Sequence, residues 1–364
     1  MPFKTLRRAA ALLLAALLLG LAGCSEGRPE GPPASAEPSG AGAELTRYQA
    51  QFLELFDTVT TVIGYAETEE EFSETVNAFR DELREYHELY DIYNDYEGVN
   101  NIKTINDSAG GEPVKVDRRI IDLLLFCREM YEATEGRTNV MMGSVLSLWH
   151  DARELGINDP ERAELPDMDE LEAAKGHTGF DALVIDEENS TVQITDPEAS
   201  LDVGAVAKGY ATQRVCEDLP AGLLVSVGGN VCITGPKPTD GSDWIIGVQD
   251  PDGGASDYIL TLALSSGSMV SSGDYQRYYT VDGVTYCHII DPDTLMPPAL
   301  WRAVTVLCPD SGKADALSTA LFCLSREEGE ALLERFGAEA LWIRPDGSTE
   351  CTPGFEAQIE EYAN

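Results

Sequence analysis

Two short apolar segments carry the residues best suited to chemistry. In "ADALSTALF" (314–322) a carboxylate, Asp315, and a hydroxyl, Thr319, stand one helical turn apart. At 100° per residue they lie within about 40° of each other, opposite a stripe of Leu317, Ala320, Leu321 and Leu324. One reading is a solvated helix face. The other is a hard-cation site: carboxylate, hydroxyl and a backbone carbonyl are the oxygen ligands Mg²⁺ prefers, with water and a phosphate completing the octahedron. The small apolar residues around Asp315 favour burial, and with it the second reading.

The other segment is "LDVGAVAKGYA" (201–211), where an acid, Asp202, and a base, Lys208, interrupt an otherwise apolar run. Its pattern predicts a strand ending at Leu201-Asp202-Val203, a turn at Gly204, and a helix from Ala207 with Ala207, Tyr210, Ala211 and Val215 facing inward. Such junctions present free N–H groups and a positive dipole end. Lys208 in the first turn suits a phosphate, and Asp202 suits a ligand's hydrogen-bond donors. The plainer alternative is a local Asp202–Lys208 ion pair. "SVGGN" (226–230) fits either a β-bulge or a close backbone approach to a ligand. His288 is one of four histidines and closes a predicted hairpin, where it is either structural or a base.

The elements that must position these groups follow from periodicity. Residues 55–66 read as a strand. Residues 68–94 read as a helix with Phe72, Val76, Phe79, Leu83, Tyr86 and Tyr90 on one stripe. Asp117 caps a second helix ending at Gly136, and a third covers residues 140–156. Beyond Phe180 short strands dominate, the clearest being a hairpin over 275–290 with Asp282-Gly283 suited to a type I′ turn. Helices follow over 311–325 and 326–337. The pattern predicts one α+β domain over residues 48–364, with mixed or antiparallel sheets and packed helices.

Composition sets the boundaries. The formal charge of −39 opposes binding to a nucleic-acid backbone or to anionic lipid headgroups. An anionic substrate would need local help from a metal, a lysine or backbone N–H groups. Residues 1–23 have a basic start (Lys4, Arg7, Arg8), a short apolar run and Leu-Ala-Gly before Cys24. That order reads as a lipoprotein signal, with Cys24 lipidated and residues 24–47 a Pro/Gly/Ser-rich tether. The expected location is therefore extracytoplasmic, with the membrane engaged only through the anchor. The seven other cysteines form no C-x-x-C pair, which argues against a zinc or redox motif.

Taken in order, "LDVGAVAKGYA", "VSVGGNVCITG", "WIIGVQDP", "MVSSGDYQRYY", "YCHIIDPDT" and "ADALSTALF" resemble the ApbE-like family of FAD:protein FMN transferases, over about residues 50–345. The resemblance implies a flavin cleft and an enzyme that takes FAD as substrate. With Mg²⁺ it moves FMN to a threonine hydroxyl of an acceptor protein and releases AMP. It also implies roles for particular residues. Asp202 and Lys208 would contact FAD; the Ala205 carbonyl, Asp315, Thr319 and the Ser318 backbone would hold the metal. His288 would deprotonate the acceptor, and Tyr93 would pack on the flavin. This chain departs from the family pattern at Phe56-Asp57-Thr58 and at Arg137-Thr138-Asn139, both expected beside the flavin, and Arg137 there adds a positive charge. The acceptor motif, Asp-Ser/Thr-small-Ala-Thr, does not occur here, so the acceptor would be a partner protein. Rival readings are an FAD pyrophosphatase, with water in place of threonine, and a non-catalytic flavin-binding lipoprotein.

Overall fold

The computed structural model describes residues 44–254 and 256–363, so the predicted signal, Cys24 and most of the predicted tether lie outside the described residues. Strand β1 (Thr46–Phe52) starts two residues before the expected domain boundary and pairs with β2 (Thr60–Ala66). The strand expected over 55–66 is shorter because Phe56 and Asp57 both take positive φ, which turns the chain and breaks the ladder. Helix α1 (Glu69–Tyr90) is capped by Thr68, whose hydroxyl accepts from Glu71 N–H, and it buries the whole predicted stripe. After α2 (Ile102–Asp107) and β3 (Val114–Lys115), Asp117 caps α3 (Arg118–Ala133) as expected. Then come α4 (Gly143–Asn158), α5 (Met168–Lys175), β4 (Leu183–Asp186) and β5 (Thr191–Ile194).

The second half supplies most of the sheet. Helix α6 (Ala207–Glu217) leads to β6 (Leu224–Val227) and β7 (Asn230–Ile233). Strands β8 (Trp244–Gln249), β9 (Tyr258–Leu264) and β10 (Gly267–Gly273) precede the hairpin β11 (Tyr278–Val281) and β12 (Val284–Cys287). Asp282 and Gly283 both have positive φ, the type I′ turn expected from the sequence. Strand β13 (Ala303–Cys308), α7 (Ser311–Phe322), α8 (Arg326–Glu334), β14 (Glu339–Ile343), β15 (Thr349–Cys351), α9 (Pro353–Glu356) and β16 (Ile359–Tyr362) complete the chain.

Eight strands form one antiparallel sheet in the order β1-β2-β6-β7-β10-β13-β14-β15. Both of its faces are covered. Val225, Cys232, Val304, Val306, Ala340 and Trp342 join the core shared with α1, α3, α6 and α7. Their neighbours Leu224, Val231, Ile233, Ala303, Leu307 and Leu341 meet the small sheet β16-β9-β8 on the other side. Alternating side chains therefore all become buried, which is why β13 has no exposed residue. A third apolar cluster joins Met142, Val145 and Trp149 of the α4 region to Tyr279 of the hairpin and to Leu295. No helix of the described residues is long and apolar enough to cross a membrane.

Candidate active site

The site is built where α6 and α7 touch. Gly209 faces α7 so closely that a Cβ there would overlap the Ser311 carbonyl oxygen and lie 2.5 Å from Asp315 Cβ. That contact brings the Gly209 N–H to Asp315 Oδ2 at 2.8 Å. Lys208 Nζ lies 3.6 Å from the same oxygen. Lys208 is thus paired with Asp315, and the local Asp202–Lys208 pair does not form. Asp315 is 4% exposed, so α7 carries a buried acid and not a solvated face. The helix is in fact buried on almost every side, Lys313 and Thr319 excepted.

Asp202 is placed by other means than the expected strand. Residues 201–203 belong to no strand or sheet. Asn106 clamps Leu201 through both its amide atoms, at 2.9 and 2.7 Å, and Asp202 N–H donates to the Val140 carbonyl at 2.8 Å. The Asp202 carboxylate accepts from Gly204 N–H at 2.8 Å. Burial raises its pKa, against the lowering effect of that hydrogen bond and of the positive charge around His150, Arg277 and Arg153. "SVGGN" is not a bulge. Gly228 and Gly229, both at positive φ, form the two-residue turn joining β6 to β7, and a Cβ on Gly228 would strike Thr58 Oγ1.

A cleft of about 1190 Å³ gathers these parts. Phe56, Tyr93, Arg137, Asn139, Asp202, Ala205, Lys208, His288, Asp315 and Thr319 all line it. Thr138 and Ser318 do not. Thr138 is buried behind α7, its hydroxyl donating to the Ala316 carbonyl at 2.7 Å. Ser318 is fully buried and its hydroxyl donates to the Asp315 carbonyl at 2.9 Å, so its side chain braces the turn of α7 that carries Asp315 from within the protein. Arg137 adds no free charge, because Asp291 at 3.2 Å and Asp293 at 2.7 Å neutralise it. Asn139 spends its amide on Thr178 and its oxygen on Met141 N–H. Tyr93 is 57% exposed, with its ring 5.6 Å from that of His150.

His288 sits beside the hairpin, its N–H donating to the Arg277 carbonyl at 3.0 Å. Nδ1 is buried with no partner among the described residues, which leaves Nε2 as the ring nitrogen open to the cleft. Desolvation, then the charges of Arg277, Arg153 and Lys208, lower its pKa to about 4. The imidazole is therefore neutral at physiological pH and able to accept a proton.

The oxygens fit a hard cation. Asp315 Oδ1 and Thr319 Oγ1 accept no hydrogen bond among the described residues, and both residues face the cleft beside Ala205. One carboxylate, one hydroxyl and one carbonyl leave half of an octahedron to water and a phosphate, as Mg²⁺ favours. A set this lean is not a cluster of three or more acid, histidine or cysteine ligands, and the described residues hold none. Among the lining residues that sequence reading missed are His150 and Arg153, one turn apart on α4, and Arg277. Their signal was basic residues in "LWHDAR" and "DYQRYY", conspicuous in so acidic a chain.

A model of the ApbE family matches residues 56–342, most of the chain. The chain belongs to the ApbE family. Among its relatives, an FAD:protein FMN transferase of Treponema pallidum is 34% identical over 276 residues, covering 71% of this chain and 74% of that protein. One from Klebsiella pneumoniae is 30% identical, covering 70% and 80%. The ApbE protein of Thermotoga maritima has a solved structure similar to this one, with a TM-score of 0.74, 29% identity, and coverage of 87% of this chain and all of that one. The α+β architecture expected from the sequence is thus the ApbE fold.

Proposed function

We propose that this ApbE-family chain is a Mg²⁺-dependent transferase that moves FMN from FAD to a threonine hydroxyl of an acceptor protein and releases AMP. The observation that carries this reading is the convergence on one cleft of Lys208, Asp315 and Thr319 with a neutral, unpartnered His288. The relatives named FAD:protein FMN transferase support it. Asp315, Thr319 and the Ala205 carbonyl would hold Mg²⁺, which supplies charge neutralisation across the diphosphate.

The chain's own groups do the rest. Gly209 N–H and Lys208 fix the Asp315 carboxylate on one oxygen and leave the other free. Lys208 also presents positive charge to the diphosphate, which the acidic molecule as a whole repels. His288 Nε2 accepts the proton of the acceptor hydroxyl as that oxygen bonds to the FMN phosphorus. The P–O bond to the AMP phosphate breaks, and AMP leaves with the electron pair. Residues 1–23 direct export and Cys24 carries the lipid, so the acceptor would be a protein on the outer side of the membrane.

The test is incubation with FAD, Mg²⁺ and a threonine-containing acceptor domain, followed by mass spectrometry of the acceptor. An FMN-sized increment that disappears with Asp315→Ala or with chelator is expected. AMP with an unmodified acceptor would make the protein a hydrolase, and intact FAD would reduce it to a binding protein.

A further inference from the structure

Arg153 and Arg277 line the cleft without a structural task. Arg153 rises half-buried from α4, and Arg277 is exposed just ahead of β11. Neither pairs with a carboxylate among the described residues, although the chain has 64 acidic residues against 25 lysines and arginines. Arg153 has one side-chain partner, His150 Nδ1, at 2.9 Å from Nη2. The Arg277 side chain has none, while its carbonyl holds the His288 N–H. Arg137 shows the contrast, since two aspartates satisfy it in the same cleft.

The two guanidiniums also act on each other. Burial and then the charge of Arg277 lower the pKa of Arg153, so like charges are held near one another at some cost. Glu154 and Asp202 favour the charged form of Arg153 only from beyond ion-pair distance, so an anion in direct contact would still stabilise it. The planar fork of arginine matches phosphate oxygens two at a time. Arg153 sits within the cleft beside His150, whose ring faces Tyr93, so the anion that reaches it must enter the cleft. Arg277, Arg153 and Lys208 all line the cleft with His288 and are near enough to lower its pKa, so they share the region where the proposed reaction places the phosphate.

We propose that Arg153 and Arg277 form a clamp for the diphosphate of FAD. The inference rests on the reading of this cleft as an FAD site. Its test is equilibrium binding, without acceptor, of FAD and of riboflavin, which has no phosphate. Full-length wild type, Arg153→Gln, Arg277→Gln, the double variant and Arg153→Lys are compared. Each glutamine variant should raise the FAD Kd roughly tenfold or more while the riboflavin Kd stays within about twofold. Arg153→Lys should restore only part of the loss, because a point charge cannot grip two oxygens. Unchanged FAD affinity in the folded double variant overturns the clamp, including the case in which only the acceptor KM rises. Equal losses for FAD and riboflavin overturn it too, by making the pair structural. A wild type that binds neither flavin removes the FAD reading itself and the clamp with it.

Discussion

At the scale of single residues, the chemistry turns on His288. Its proton affinity is low because burial and three nearby cations all oppose a second positive charge. An unfolded histidine titrates near 6.5, so between that pH and about 4 the unfolded chain binds the proton more readily than the folded one. The stability contributed by this group is complete above about pH 6.5 and is lost as pH falls toward 4. Denaturant unfolding at pH 7 and pH 5 should therefore show a smaller loss of stability on acidification in His288→Gln than in wild type. The same substitution should lower turnover by about 10²–10⁴-fold, the usual contribution of a positioned base. It should also remove the acidic limb of the pH–rate profile. Most of the site was legible at this scale: Asp202, Lys208, His288, Asp315 and Thr319 all reach the cleft. What escaped was direction. Nothing in the order of residues says that Thr138 and Ser318 turn inward, or that Arg137 is already paired, because partners such as Ala316 and Asp291 arrive from distant sequence.

Among the elements, the contact between α6 and α7 matters most, and Gly209 sets its spacing. Gly209→Ala would push a methyl into the Ser311 carbonyl and the Asp315 side chain. We expect a loss of about 1–3 kcal/mol, the usual cost of overpacking, visible in urea denaturation. Activity at saturating Mg²⁺ should also fall, since the N–H that holds Asp315 Oδ2 would move with the helix. An alanine variant as stable and as active as wild type would show that the helices can separate without harm. Helices α1, α3, α6 and α7 and the β11–β12 hairpin were readable because each has a local signature: a stripe, a capping aspartate, or a turn dipeptide. The strands of the large sheet were harder. β13 is buried on both faces and so lacks alternation, while β10, "GSMVSSG", is too small and polar to stand out. Their order across the sheet depends on pairings between remote segments, such as β2 with β6 and β7 with β10.

For the molecule as a whole, the arrangement is a sheet covered by helices on one side and by a small sheet on the other, with the cleft formed where helices α4, α6 and α7, the β6–β7 turn and the hairpin meet. Cations are few, and those in the cleft are the exception in a surface dominated by acids. The balance explains how an acidic protein can receive an anion: repulsion is general and attraction is local. Trp149 gives this architecture an optical consequence. It is buried at 4% exposure, lines the cleft, donates to the Leu295 carbonyl at 3.0 Å and packs against Tyr279 and Tyr286 of the hairpin. The other three tryptophans are occupied elsewhere, Trp244 beside Tyr65 and Trp301 beside Trp342. Flavin absorbs where indole emits, so titration with FAD should quench Trp149 more steeply than the rest. Trp149→Phe should remove the largest share of that signal, and an unaltered quench would place the flavin elsewhere. The hairpin's aromatic anchor is thereby a built-in light meter for cleft occupancy, readable before any acceptor is known.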